Sequence, residues 1–137
     1  MKNTDTVTMF VDGFQDSGEC RLDERVWEGL EYLESVAGPG AIAEMIEHFR
    51  LDMPDRIQRM RGLLEVGDLS SLARLAHDLK SNSATLGVPA LSELGFRVEQ
   101  AAEQGDLEGV VSSIDAVERL FPRVFVALER RGSSFTS

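Results

Sequence analysis

Apolar residues recur along this chain at intervals of three and four in five stretches, the spacing that lines one face of an α-helix. Leu22, Val26, Leu30 and Leu33 mark the first, with Asp23 placed to cap it and Gly38-Pro39-Gly40 to end it. The second runs from about Ala41 to Val66 on Ile42, Met45, Ile46, Phe49, Met53, Ile57, Met60, Leu63 and Leu64. Pro54 falls inside it and removes one backbone hydrogen bond. The apolar phase carries through the proline, which predicts one kinked helix, not two. Gly67-Asp68 closes a turn and supplies a cap for a third helix, Leu69 to Leu86, which contains no internal proline or glycine. Gly87-Val88-Pro89 leads into a fourth, about Ala90 to Gln104, with Leu91, Leu94, Val98, Ala101 and Ala102 on its inner face. Gly105-Asp106 repeats the earlier turn. The fifth helix, about Leu107 to Arg130, carries Leu107, Val110, Val111, Ile114, Val117, Leu120, Phe121, Val124, Phe125 and Leu128, with Pro122 expected to bend or split it. No stretch alternates as a strand would.

Short connections between long amphipathic helices favour antiparallel neighbours. The expected fold is therefore all-α: an up-down four-helix bundle made by the second to fifth helices, with the first covering one end or side. Residues 21–131 read as this single domain. Residues 1–20 read as a flexible N-terminal segment, with an apolar patch at Met9, Phe10, Val11 and Phe14. Residues 132–137 read as a frayed tail.

Composition narrows the classes. At 137 residues the chain is long enough to bury a core without staples, and its one cysteine, Cys20, rules out an intrachain disulfide. No N-terminal signal pattern and no bilayer-length apolar stretch is visible, so a cytoplasmic location is expected. The net charge of −10 argues against nucleic-acid and anionic-membrane partners. The charge is unevenly spread. Residues 50–97 hold seven Arg/Lys against six Asp/Glu; the remainder holds seven against eighteen. That imbalance serves solubility, or it keeps the central region open to an acidic partner surface.

The third helix carries the candidate chemistry. At about 100° per residue, Leu72, Leu75, Ala76, Leu79, Ser83 and Leu86 share one arc, and His77 lies roughly opposite. On the histidine's side fall Ser70, Ala73, Arg74, Lys80, Ser81 and Ala84. A packing histidine would point into the leucine arc; this one points away, among small side chains and between two cations. Neutral imidazole is a good nucleophile toward phosphorus near neutral pH, and the N–P bond it forms is labile. Lys80, one turn from His77, can neutralise charge on a moving phosphoryl group, and Arg74 is a second candidate. The small residues Ser70, Ala73, Ser81 and Ala84 keep the surface low enough for a partner's carboxylate to approach. His48 has no such surroundings and reads as an ordinary surface histidine.

Ala76-His77-x-Leu79-Lys80-x-x-Ser83-x-x-x-Gly87 resembles the signature of histidine-containing phosphotransfer (HPt) domains. The helix layout over about residues 20–130 is similar as well. The resemblance implies a phosphorelay intermediate whose exposed histidine, His77, accepts a phosphoryl group from a receiver-domain aspartate or a histidine kinase. It then passes the group to a response-regulator aspartate, with Lys80 assisting. It implies receiver domains or a hybrid sensor histidine kinase as partners, and a stoichiometric carrier with no turnover, ATP site or bound cofactor. The partner would hold any magnesium, and the carrier is expected to be a monomer. One position departs: the family usually has glycine after the motif lysine, and here stands Ser81, which points to altered partner fit. On the fourth helix, Gly95 and Glu99 are one turn apart and can face His77. Glu99 either orients the ring by accepting an N–H bond or is a solvated glutamate.

Two other readings remain open on sequence. His77-Asp78-Leu79-Lys80-Ser81 also resembles the phosphoacceptor box of kinase dimerisation domains, but Asn82 stands where that box has proline, and no glycine-rich nucleotide loop is present. A helical adaptor or inhibitor that binds receiver domains without carrying phosphate is the third reading. Metal chemistry is not expected: neither histidine has a glutamate three residues before it, and His-Glu-x-x-His is absent.

Overall fold

Two Gly-Asp pairs set the hairpins of this molecule, described here from a computed structural model that covers residues 20–133. Gly67 and Gly105 both adopt left-handed backbone, with φ of 79° and 70°, a region a Cβ would strain. Behind each glycine, the aspartate N–H returns to a carbonyl of the finished helix, Asp68 to Leu63 and Asp106 to Ala101. The same aspartates then open the next helix. Asp68 accepts from the Ser71 N–H at 3.1 Å, and Asp106 from the Gly109 N–H at 3.0 Å. Each turn thus stops one helix and starts the next within two residues, which forces antiparallel neighbours.

Five helices result among the described residues: α1 (Glu24–Ala37), α2 (Ala41–Val66), α3 (Leu69–Thr85), α4 (Pro89–Gln104) and α5 (Leu107–Gly132). Asp23 caps α1 as expected, accepting from the Arg25 N–H. α2 runs unbroken through Pro54, and α5 runs unbroken through Pro122, so the expected split of α5 does not occur. Both prolines lie on the solvent side, where water can reach the carbonyl that loses its partner. α5 also extends past its expected end. Gly132, expected in the tail, is helical and buried, seated where an added Cβ would press on Ile46. Residues 1–19 and 134–137, with the apolar patch at 9–14, lie outside the described residues.

Helices α2 to α5 form the up-down four-helix bundle, each packed on its chain neighbours, with α5 closing back onto α2. The core holds Ile42, Phe49, Met53, Ile57 and Met60 of α2; Leu72, Leu75 and Leu79 of α3; Leu91, Leu94 and Val98 of α4; and Val110, Ile114, Val117, Val124 and Leu128 of α5. Met53 and Met60 therefore serve packing. Three expected core residues do not enter it. Leu33, Leu107 and Val111 are exposed, because α1 buries only Trp27 and Leu30 and because Leu107 and Val111 lie at the edge of the buried arc of α5 that runs through Val110, Ile114 and Val117.

α1 closes the end where α2 begins and α3 and α5 finish. Its anchor is Trp27, fully buried, whose indole N–H donates to the Leu86 carbonyl at 2.9 Å while Arg131 stacks over the ring. Gly87 sits in left-handed backbone against this ring, where a Cβ would lie 2.9 Å from Trp27 Cδ1. The Glu34 carboxylate accepts from the Gly40 and Ile42 N–H groups and so caps α2, which has no side-chain cap of its own. Those two bonds hold the Glu34 carboxyl below the usual carboxylate range. Cys20 is buried next to α1, and burial pushes its thiol up to about 12.

Candidate functional site

The expected inner arc of α3 is buried in full: Leu72, Leu75, Ala76, Leu79, Ser83 and Leu86 are all core residues. Helical geometry then turns His77 outward, and its side chain is 53% exposed. What fixes the ring comes from α4. Glu99, only 15% exposed, places Oε2 3.1 Å from His77 Nδ1. An ionised carboxylate can only accept, so the Nδ1–H donates to it. In the neutral ring that tautomer leaves the lone pair on Nε2. Glu99 is therefore within hydrogen-bonding reach of the ring and largely shielded from solvent.

The same carboxylate reaches Lys80. Its Oε1 lies 3.3 Å from Lys80 Nζ, so one side chain ties both candidate groups of α3 to α4. The ammonium also lies 5.3 Å from the centre of the Phe96 ring. The Ser92 hydroxyl donates to the Lys80 carbonyl at 2.9 Å. Gly95 makes this closeness possible. A Cβ there would sit 2.9 Å from the Lys80 backbone nitrogen, 3.1 Å from its Cα and 3.2 Å from the Ala76 carbonyl oxygen. The helices approach until backbone meets backbone, which brings Glu99 within reach of His77.

Beside the histidine, a cleft of about 580 Å³ opens between α3 and α4, lined by Ser70, Ala73, Arg74, His77, Glu99 and Glu103 among others. Arg74 is exposed on the ridge between this cleft and a second groove, shared by α2 and α3, that includes Arg59 and Asp78. Ser70, Ser81 and Ala84 are exposed, as the helical wheel requires.

Three expected site residues are buried. Ala73 is buried, at 8% exposure, and forms part of the cleft floor, because α4 leans over this flank of α3. Gly95 is buried between the helices and acts through their spacing. Gly87 lies at the far end of α3 against Trp27, where it shapes the turn and touches nothing at the site. Conversely, Ser92 and Phe96 were not expected. Their signal is a register on α4: residues 92, 96 and 99 share one face with 95. Nothing in the sequence says that this face meets Lys80.

His48 is exposed on α2, away from these groups. Among the described residues no cluster of His, Cys, Asp or Glu is arranged to hold a metal ion, and no helix is long and apolar enough to cross a membrane.

Comparison with known proteins gives this geometry a family. No curated protein sequence matches the chain significantly. Among the solved structures that share the fold are two plant proteins. One is a histidine-containing phosphotransfer protein from maize, ZmHP2, with a TM-score of 0.68, 20% identity, and coverage of 93% of this chain and 97% of that one. The other, from rice and described as a candidate protein of the same kind, has a TM-score of 0.72, 20% identity, and coverage of 98% and 96%. The family model of the Hpt domain matches residues 44–127, which contain α3, α4 and every residue bonded to His77. The chain belongs to the Hpt domain family.

Proposed function

We propose that His77 is the phosphoryl acceptor through which this phosphorelay intermediate works, with Glu99 orienting its ring and Lys80 neutralising charge on the group in transit. The observation that carries the proposal is the His77 Nδ1–Glu99 contact at 3.1 Å on an exposed ring. With the proton held on Nδ1, the Nε2 lone pair is the free nucleophile. Nε2 attacks the phosphorus of an aspartyl phosphate on a receiver domain. The N–P bond forms, the P–O bond to the aspartate breaks, and that carboxylate leaves with its electron pair. The product is a phosphorylated imidazolium that still carries its Nδ1 proton, and the Glu99 carboxylate stabilises the new positive charge. Reversal of the same step onto a second receiver's aspartate passes the group on.

No proton moves in this scheme and no cofactor of the chain takes part. The chain is then a stoichiometric carrier, and magnesium, where transfer uses it, is held in the receiver's acidic pocket. Arg74 flanks the approach on one side and Lys80 on the other. The exposed small residues Ser70, Ser81 and Ala84 leave room for the receiver's loop. Ser81, in place of the family's glycine, offers a hydroxyl to a phosphoryl oxygen and tunes the choice of receiver.

Incubation with a receiver domain carrying labelled aspartyl phosphate tests the proposal. Acid-labile, base-stable label should appear on the wild-type chain and be absent from His77→Gln, whose helical circular dichroism is unchanged. Label on the His77→Gln variant would remove His77 as acceptor. Tight binding of the receiver without any label would identify an adaptor.

A further inference from the structure

We propose that Phe96 is a positioning residue for Lys80: its ring holds the ammonium at the rim of the site while leaving its charge available to the incoming phosphoryl group. This inference rests on the assignment of His77 and Lys80 above and extends it to a residue that does not touch the reacting atoms.

Lysine is a poor tool unless something fixes it. Its ammonium rides on a flexible four-carbon stem and loses rotamer freedom when ordered. The Glu99 carboxylate supplies one anchor, at 3.3 Å, but that anchor is shared with His77 Nδ1 and also neutralises the charge it holds. A lysine held only by Glu99 would meet a phosphoryl oxygen through a remaining N–H, but with its charge already offset by that carboxylate. An aromatic face attracts the cation without carrying a countercharge. The Phe96 ring centre is 5.3 Å from Nζ, and the side chain of Lys80 is 30% exposed. Phe96 itself is 38% exposed, although a large apolar residue on a bundle helix normally faces the core. Its place one residue after Gly95 explains the match. Gly95 draws α4 onto the Lys80 backbone, and Ser92 pins the Lys80 carbonyl one turn earlier. The lysine stem leaves the backbone already aimed across the next position on that face, which is Phe96.

The test compares rates of transfer from a phosphorylated receiver in wild type, Phe96→Leu, Phe96→Tyr, Lys80→Ala and the Phe96→Leu/Lys80→Ala double variant. Leucine keeps an apolar surface and removes the ring face; tyrosine keeps the face. Phe96→Leu should slow transfer about two- to fivefold, the worth of an exposed cation–π contact. Phe96→Tyr should recover most of that loss, and Phe96→Leu should add nothing to the slowing caused by Lys80→Ala. In the folded wild-type protein the Lys80 ε-methylene protons should show an upfield ring-current shift that Phe96→Leu abolishes. Full-rate Phe96→Leu beside a slow Lys80→Ala overturns the role of Phe96 and leaves Lys80 in place. Equal slowing by Phe96→Leu with and without Lys80 makes Phe96 a partner contact and overturns the proposal. A full-rate Lys80→Ala removes both residues, and the label on His77 reports separately on the acceptor. Unshifted ε-methylene resonances in wild type exclude the contact itself.

Discussion

The spacing between α3 and α4 can be measured by placing one methyl group at Gly95. The built Cβ would stand 2.9 Å from the Lys80 nitrogen, 3.1 Å from its Cα and 3.2 Å from the Ala76 oxygen. All three are backbone atoms, so no side chain can swing away and α4 must lift. Overpacking of this kind costs about 1–3 kcal/mol. Against it stands the helix preference of alanine over glycine, which contributes about 0.5–1 kcal/mol in the opposite direction. Gly62 supplies the control: it is exposed in the middle of α2, and an added Cβ there meets nothing within 4 Å. Gly62→Ala should therefore stabilise by about 0.5–1 kcal/mol, and the propensity term cancels between the two variants. The difference in unfolding free energy, read from urea denaturation followed by far-ultraviolet circular dichroism, should be about 1–3 kcal/mol, with Gly95→Ala the less stable. A second readout follows from the site. Lifting α4 lengthens the His77 Nδ1–Glu99 bond beyond its 3.1 Å, so phosphoryl acceptance by Gly95→Ala should slow as well. Equal stabilisation by the two alanines would show that the helices do not meet backbone to backbone, and the argument for how Glu99 reaches His77 would fall with it.

Three further outcomes are expected. Leu79→Ala should destabilise by about 2–5 kcal/mol in the same denaturation assay, because Leu79 is fully buried opposite His77; a change under about 0.5 kcal/mol would mean that α3 is rotated. Trp27→Phe keeps a ring for Arg131 but strands the buried Leu86 carbonyl, which should lower stability by about 1–3 kcal/mol, and an unchanged urea midpoint would show that α1 is held by other contacts. Glu34→Gln should lower the melting temperature at neutral pH, where the Glu34 carboxylate caps α2. The Glu34 carboxyl is lowered from 4.5 in the folded state, so its contribution is full above that value and is lost as pH falls through the depressed one. The gap between wild type and variant should close on acidification; a gap that stays constant with pH would assign the effect to something other than the Glu34 charge.

Much of the site was readable because helices are local. Which side of α3 is buried depends only on residues within that helix, so the arc from Leu72 to Leu86 placed His77 outward before any neighbour was known. The Gly-Asp turns were equally plain, since the left-handed glycine and the capping aspartate act within a few residues of each other. Features set by contact with another helix are not encoded along a single one. Gly87 belongs to the family signature, yet its constraint is Trp27, 60 positions away in sequence. The end of α5 is expected near Arg130, yet the helix continues to Gly132, which packs on Ile46 of α2.

The sequence by itself determined the five helices, their antiparallel order and the exposed face that carries His77, Lys80 and Arg74. These follow from periodicity and from caps, whose physics spans a turn or two of chain. Only the tertiary structure decided what the histidine and lysine hold on to. Whether Glu99 was a ring partner or a solvated charge depended on how closely and in what register α4 lies on α3. That depends on a missing side chain at Gly95 and on the fit of two surfaces, which no pattern along one helix encodes. The same contact brought Phe96 under the ammonium, so the lysine's direction, unlike its position, belongs to the fold.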